Sequence, residues 1–246
     1  MGEPNVTKES GSHLVELTLD AFRIAHRTAI AATEGIATSS RNVLEEVREH
    51  ERELDSLDRD IDDLVTTTVT RVTDDEARML LACMKFGISL ERIGDLLLSF
   101  VNRAETVAAH IAADDVRDLT AMGAQLEKML ADVEIAFRTS AVEKAIAVLR
   151  ADAEIDRLRN VITFRHLEPE EGLRRPDSFH VLFMAQEMER AGDHVKNMAE
   201  EVCHLVSGRP VRHVLRAYDR RAEQLLLEHI KSLSNVCGCN RKFTLD

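Results

Sequence analysis

The chain has 246 residues, 44% hydrophobic, 31% charged and 4% aromatic, with no tryptophan. That is enough apolar material for a sizeable core, but it offers no platform for stacking the bases of single-stranded nucleic acid. With 32 basic against 44 acidic residues the formal net charge is −12, histidine counted neutral, which disfavours nucleic acid and anionic membranes and suits cations or a partner with basic patches.

Breakers are scarce. The four prolines are Pro4, Pro169, Pro176 and Pro210, so none falls between Pro4 and Pro169, and only ten glycines are present. A sandwich, barrel or Rossmann sheet needs many more turn residues. No apolar run is long enough to span a bilayer, and MGEPNVTKES at the N-terminus lacks the hydrophobic stretch of a signal peptide. The expectation is a cytoplasmic, all-helical protein with no nucleic-acid binding and no direct membrane insertion.

Residues 1–11 are polar and are expected to be disordered. From Ser12 an apolar stripe at helical spacing runs through Leu14, Leu17, Phe22, Ile24, Ala25, Ala29, Ala32 and Ile36. Thr38-Ser39-Ser40 offers an N-cap for a second helix to about Thr70, striped by Val43, Leu44, Val47, Leu54, Leu57, Ile61, Leu64 and Val65. Thr73-Asp74-Asp75-Glu76 is a capping box, predicting a third helix through Leu80, Met84, Ile88 and Leu97 to about His110. A fourth helix is expected after Ala112-Ala113-Asp114-Asp115, to about Arg138. Thr139-Ser140 is read as the cap of a fifth, to about His166. Residues 168–177, with Pro169, Gly172 and Pro176, form the clearest loop. A sixth helix is expected from about Asp177 to Val206, stopped by Ser207-Gly208-Arg209-Pro210, and a seventh over about 211–233, followed by a loose tail.

The pattern is three helices, twice. Glu51-Arg-Glu-Leu-Asp55-Ser-Leu57 aligns with Asp152-Ala-Glu-Ile-Asp156-Arg-Leu158, and Leu90-Glu91-Arg92-Ile93-Gly94-Asp95 with Met188-Glu189-Arg190-Ala191-Gly192-Asp193. The predicted architecture is two tandem three-helix up-down bundles, 12–111 and 112–208, with an extra C-terminal helix and tail over 209–246.

Each half carries two carboxylate pairs at i, i+4: Glu51/Asp55 and Glu91/Asp95, then Asp152/Asp156 and Glu189/Asp193. Such pairs share a helix face and repel by roughly a few tenths of a kcal/mol, a cost that a bridging cation converts into ligation. Taken alone, Glu51/Asp55 also reads as a solvated acidic face, because the second helix is acidic throughout. Asp152/Asp156, flanked by Arg150, Arg157 and Arg159, also reads as surface pairing. The pairs within E-R-[IA]-G-D are sharper. A mid-helix glycine costs about 1 kcal/mol against alanine, so Gly94 and Gly192 imply close approach of another helix backbone. Hard oxygen donors suit Mg, Ca, Mn or Fe better than copper, and the Glu-x-x-His of a ferritin-like di-iron centre is absent. His50 and His194 point about 100° away from their acidic neighbours and read as surface or supporting residues rather than ligands.

Cys83 and Cys203 lie in apolar helical contexts and are expected in the core. Cys237-Gly-Cys239 reads as incidental thiols in the tail. No P-loop, nucleophile elbow, zincin motif or Rossmann glycine pattern is present, and no oxyanion site is nominated, so the expectation is a non-enzyme.

The strings L-E-R-I-G-D (Leu90–Asp95), M-E-R-A-G-D-H-V-K-N-M-A-E (Met188–Glu200) and D-A-E-I-D-R-L (Asp152–Leu158) resemble the PhoU family over about residues 12–208. The resemblance implies two three-helix bundles side by side, with multinuclear metal clusters on their surface. The E/D-x-x-x-D motifs that bind them match Glu51/Asp55, Glu91/Asp95, Asp152/Asp156 and Glu189/Asp193, and the metal is expected to be Fe, Zn, Mg or Mn. It implies negative regulation of phosphate uptake and of phosphate-starvation signalling, through contacts with the phosphate ABC transporter and a sensor histidine kinase, and it allows a homodimer. The family's asparagine four residues after the motif aspartate is kept as Asn197 but is Ser99 in the first half. The glutamate seven residues after is kept as Glu200 but is Asn102 in the first half. On that ground the second-repeat site is expected to hold metal more strongly. The alternative class is a metal-storage or metal-dependent hydrolytic protein on the same bundle.

Overall fold

The computed structural model describes residues 4–107, 110–167 and 177–208, with Glu228. Six α-helices account for almost all of them: α1 (Pro4–Thr38), α2 (Arg41–Thr68), α3 (Asp74–Val107), α4 (Ala113–Thr139), α5 (Val142–Leu167) and α6 (Ser178–Ser207), with a 3-10 turn at Val69–Arg71. The expected seventh helix, the Cys237/Cys239 tail and most of the expected loop, with Pro169, Gly172 and Pro176, lie outside the described residues.

The helix ends follow from local chemistry. At α3 the capping box closes both ways: the Thr73 backbone N–H donates to Glu76 Oε2 at 2.8 Å, and the Glu76 N–H reaches back to Thr73 Oγ1 at 3.5 Å. Gly208 stops α6 in the left-handed region (φ 67°), its N–H on the His204 carbonyl. Two expectations need correction. α1 begins at Pro4 rather than Ser12; proline suits a first helical turn, where its missing N–H costs nothing. Ser140 does not cap α5. It ends α4 as a left-handed residue (φ 56°) with its N–H on the Ala136 carbonyl. Ser40 does stand at the N-cap of α2, but its hydroxyl makes no capping bond.

Helices α1, α2 and α3 pack on one another, and so do α4, α5 and α6; α1 then lies against α4 and α3 against α6. The expected stripes supply the core, which is continuous through both halves. At its heart Phe22, Phe86 and Phe137, from α1, α3 and α4, meet edge-on or tilted with ring centroids 5.0–6.1 Å apart, each buried ring contributing on the order of 2 kcal/mol or more. Cys83 and Cys203 are buried, and burial pushes both thiols up to about 12. Ile88 departs from its expected core role and is 45% exposed. It lies on the outward side of α3, one turn beyond Lys85, which pairs with Glu201 of α6 at 2.8 Å.

The α3–α6 contact is antiparallel and in a definite register. Lys85 meets Glu201, Arg103 Nε bonds Glu187 at 2.8 Å, and the Arg103 guanidinium lies 4.6 Å from the Phe183 ring. This register sets the E-R-x-G-D segments of the two halves side by side, so that His194 of α6 falls opposite Arg92 of α3.

Candidate metal centres on the two bundle faces

Two acidic clusters form, one in each half, where the outer helix meets its neighbour. In the first, Glu51 and Asp55 on α2 face Glu91 and Asp95 on α3. Burial and then the charges of Asp55 and Asp95 push the Glu51 carboxyl above its ordinary range. Burial and then Asp95 do the same to Glu91, against the pull of Arg92, with smaller contributions from Asp58 and Asp55. At Gly94 a would-be Cβ meets a side chain first, Leu54 Cδ1 at 2.8 Å, while the α2 backbone stands at ordinary contact distance, the Glu51 Cα at 3.9 Å; the glycine makes room for Leu54 rather than for the tightly apposed backbone that was expected. Arg92 supplies the cation, with Nη1 2.9 Å from Asp95 Oδ2 and Nε 3.3 Å from Glu91 Oε2.

Asp58 belongs to this cluster and was not among the expected residues. Burial first, then Asp62 and Asp55, raise its pKa, and its Oδ1 lies 3.0 Å from where a Cβ of Gly87 would be. The signal was available: Asp58 stands seven residues after Glu51, as Gly94 stands seven after Gly87, one further step along the same two facing stripes.

In the second cluster Asp152 and Asp156 on α5 face Glu189 and Asp193 on α6. Burial and then Asp193 raise the Glu189 carboxyl. At Gly192 the close neighbour is a side chain, Ile155 Cδ1, 2.9 Å from a would-be Cβ, and this corrects the expectation of an apposed backbone there. Asp152 is only 5% exposed, and Lys196 Nζ makes a short bond to its Oδ2 while standing 3.7 Å from Asp193 Oδ1. Burial works against the Lys196 charge, yet the bond to Asp152 holds its pKa above the ordinary value. Arg159 adds a second cation, 3.7 Å from Glu189.

His50 is not a surface residue: it is 4% exposed, burial lowers its pKa, and its Nε2 lies 3.6 Å from Glu46. His194 is partly buried, and burial, then Arg190, lowers its pKa. The residues replacing the family pattern in the first half have other work. Ser99 donates a short hydrogen bond to Glu187 across the two halves, and Asn102 Oδ1 accepts from Arg48 Nη2 at 2.9 Å. In the second half Asn197 is exposed and Glu200 is buried, 6% exposed.

Both clusters present the donor chemistry a hard divalent ion requires, carboxylates from two apposed helices, and in both a side-chain cation already sits against them. The carboxylates share a face without closing into one coordination sphere: among the described residues no three His, Cys, Asp or Glu side chains stand close enough to grip a single metal.

Comparison with known proteins gives the family and the fold. The PhoU domain model matches the chain twice, over residues 18–104 and 119–202. The chain belongs to the PhoU family. Relatives named phosphate-specific transport system accessory protein PhoU homolog include those of Pseudomonas aeruginosa, 27% identical over 197 residues (74% of this chain, 78% of the relative), and of Zymomonas mobilis, 27% identical over 205 residues (80% and 86%). Crystal structures of PhoU from Pseudomonas aeruginosa and of the phosphate transport system regulatory protein PhoU from Streptococcus pneumoniae share the fold. Their TM-scores are 0.75 and 0.77 at 21% and 20% identity, covering 82% and 83% of this chain and 99% of each of theirs. Each PhoU domain match contains one of the two acidic clusters. Among the described residues no helix is long and apolar enough to cross a membrane.

Proposed function

We propose that this chain is a non-catalytic, metal-binding regulatory adaptor of phosphate homeostasis that restrains phosphate uptake and represses phosphate-starvation signalling. The observation that carries the reading is the tandem PhoU match over both halves, each with an acidic face built from two helices. Its partners on this reading are cytoplasmic: components of the phosphate ABC transporter and a sensor histidine kinase, with a homodimer as a further assembly. Glu51, Asp55, Glu91 and Asp95, joined by Asp58, and Asp152, Asp156, Glu189 and Asp193 are the residues that would hold Fe, Zn, Mg or Mn. A bound divalent ion would supply positive charge between carboxylates that otherwise repel, tying the outer helix of a bundle to its neighbour. The chain's own part is to present those carboxylates on two apposed helices, with burial already raising the proton affinity of Glu51, Asp58, Glu91, Asp152 and Glu189, so that a cation offsets the repulsion.

Deleting the gene in its host tests the regulatory role. Phosphate-starvation genes should be expressed at high phosphate in the deletion strain and silenced again by the wild-type gene. Unchanged expression in the deletion strain would remove the assignment.

A further inference from the structure

We propose that the two carboxylate clusters are unequal by construction. Lys196 acts as a tethered counter-ion that occupies the α5–α6 cluster and competes with divalent metal there, leaving the α2–α3 cluster as the one open to metal. The inference rests on the metal-binding reading above and reverses the ranking expected from Asn197 and Glu200.

The argument is positional. The repeats align with a shift of 98 residues from α3 to α6 and 101 from α2 to α5, set by the Leu90/Met188 and Glu51/Asp152 correspondences. Lys196 therefore has Leu98 as its counterpart, and Arg159 has Asp58. Two substitutions at equivalent places move the charge in the same direction. The first cluster gathers five carboxylates, Glu51, Asp55, Asp58, Glu91 and Asp95, around one ion-paired guanidinium, that of Arg92. The second gathers four around two ion-paired cations, Lys196 and Arg159.

The cations also differ in how they are held. Arg92 is 57% exposed; it reaches Asp95, 40% exposed, at 2.9 Å and the better-buried Glu91, 19% exposed, at 3.3 Å. A guanidinium so placed is weakly committed and can swing away. The Lys196 side chain is 29% exposed and its partner oxygen belongs to Asp152, whose side chain is 7% exposed. To use Asp152 as a ligand, a metal must displace the ammonium from a short, charge-assisted bond inside the protein and then share the site with that charge. At the first cluster the cation to be displaced is the more exposed Arg92 guanidinium, which solvent can take up as it leaves.

Mn2+ binding to metal-free full-length protein tests this, with free Mn2+ read by electron paramagnetic resonance. Lys196→Gln removes the charge yet keeps an amide to donate to buried Asp152. Wild type should show a strong class of sites that Asp55→Asn removes and Asp156→Asn leaves intact. Lys196→Gln should add a class at least tenfold tighter than any second class in wild type, and Asp156→Asn in that background should abolish it. Lys196→Arg should add nothing. Equal losses from Asp55→Asn and Asp156→Asn in the wild-type background would overturn the inference while the metal-binding reading stands, and this comparison holds even if Lys196→Gln fails to fold. A folded Lys196→Gln that binds no more Mn2+ than wild type would also overturn it. No Mn2+ taken up by wild type or Lys196→Gln would overturn the metal-binding reading itself.

Discussion

The two halves of this PhoU-family chain share a fold but spend their charges differently. In the first half, the outer helix α2 carries Leu64 and Val65 near its C-terminal end. The equivalent places on α5 are Arg165 and His166. Arg165 reaches Asp115 at 2.6 Å and makes a short bond to Asp118, both acids buried, while His166 Nδ1 and Ser178 Oγ are 2.8 Å apart. Farther along, the first half collects an acidic cluster with one loosely held arginine, and the second collects a smaller cluster with a lysine seated inside it. Most of the apolar stripe repeats, but positions on or beside it have turned polar in the second half, Leu64 and Val65 to Arg165 and His166 and Leu98 to Lys196, and those changes alter how many carboxylates each half leaves without a cation.

The sharpest way to break this comparison is at the helix ends. Arg165→Ala leaves Asp115 and Asp118 buried without their main cation and should cost about 3–4 kcal/mol of unfolding free energy, against about 1 kcal/mol for Leu64→Ala, a half-buried apolar truncation. Urea unfolding at pH 7 measures both. The sign of the pH dependence is fixed by Asp118. Burial pulls its carboxyl up, but bonds from Arg165 and Arg117 bring it below the ordinary value of 3.8. That contribution is present above 3.8 and is lost as pH falls through the lower folded value, so the gap between wild type and Arg165→Ala should narrow only in strong acid.

Next in size is the seated lysine. Lys196→Met should lose about 2 kcal/mol, because Asp152 keeps its burial and loses a charge-assisted partner, whereas Leu98→Met at the equivalent place should cost less than about 1 kcal/mol. Similar losses at the two positions would show that the lysine is not engaged as described.

The smallest effect concerns the first cluster. Glu91→Gln in chelator should raise stability at pH 7 by about 0.5 kcal/mol, the scale of like-charge repulsion on a helix, and Glu189→Gln by less, since its cluster holds the Lys196 ammonium as well as a guanidinium. The folded protein raises the pKa of Glu51 and Glu91 above the ordinary 4.5, so it binds protons more readily than the unfolded chain. Stability from these groups is therefore gained as pH falls toward 4.5 and lost as pH rises through the raised values. The advantage of Glu91→Gln over wild type should shrink on acidification, and thermal melts between pH 7 and 4.5 check it.

Much of this was legible in the sequence because helices announce themselves locally. The Thr73–Glu76 box, the Gly208 stop and the apolar stripes each act within a few residues, and the E-R-x-G-D repeat marked the facing pairs. Ser140 was misread because a serine between two helices can start one or, in the left-handed region, end one, and only the backbone decides. Lys196 and Arg159 escaped because their meaning depends on register between helices. Lys196 lies three residues after Asp193, an ordinary surface spacing, and becomes a counter-ion only when α5 brings Asp152 under it. Asp58 could have been found by following the α2 stripe two turns on from Glu51; the repeat itself hides it, since its counterpart is Arg159.

Anomalous diffraction from crystals of metal-free protein soaked in Mn2+ locates the ions directly and tests the unequal-cluster account most plainly. Peaks should stand against Glu51, Asp55, Glu91 and Asp95, with the α5–α6 face bare while Lys196 is present. Peaks against Asp152, Asp156, Glu189 and Asp193, with the α2–α3 face bare or equally occupied, would contradict it.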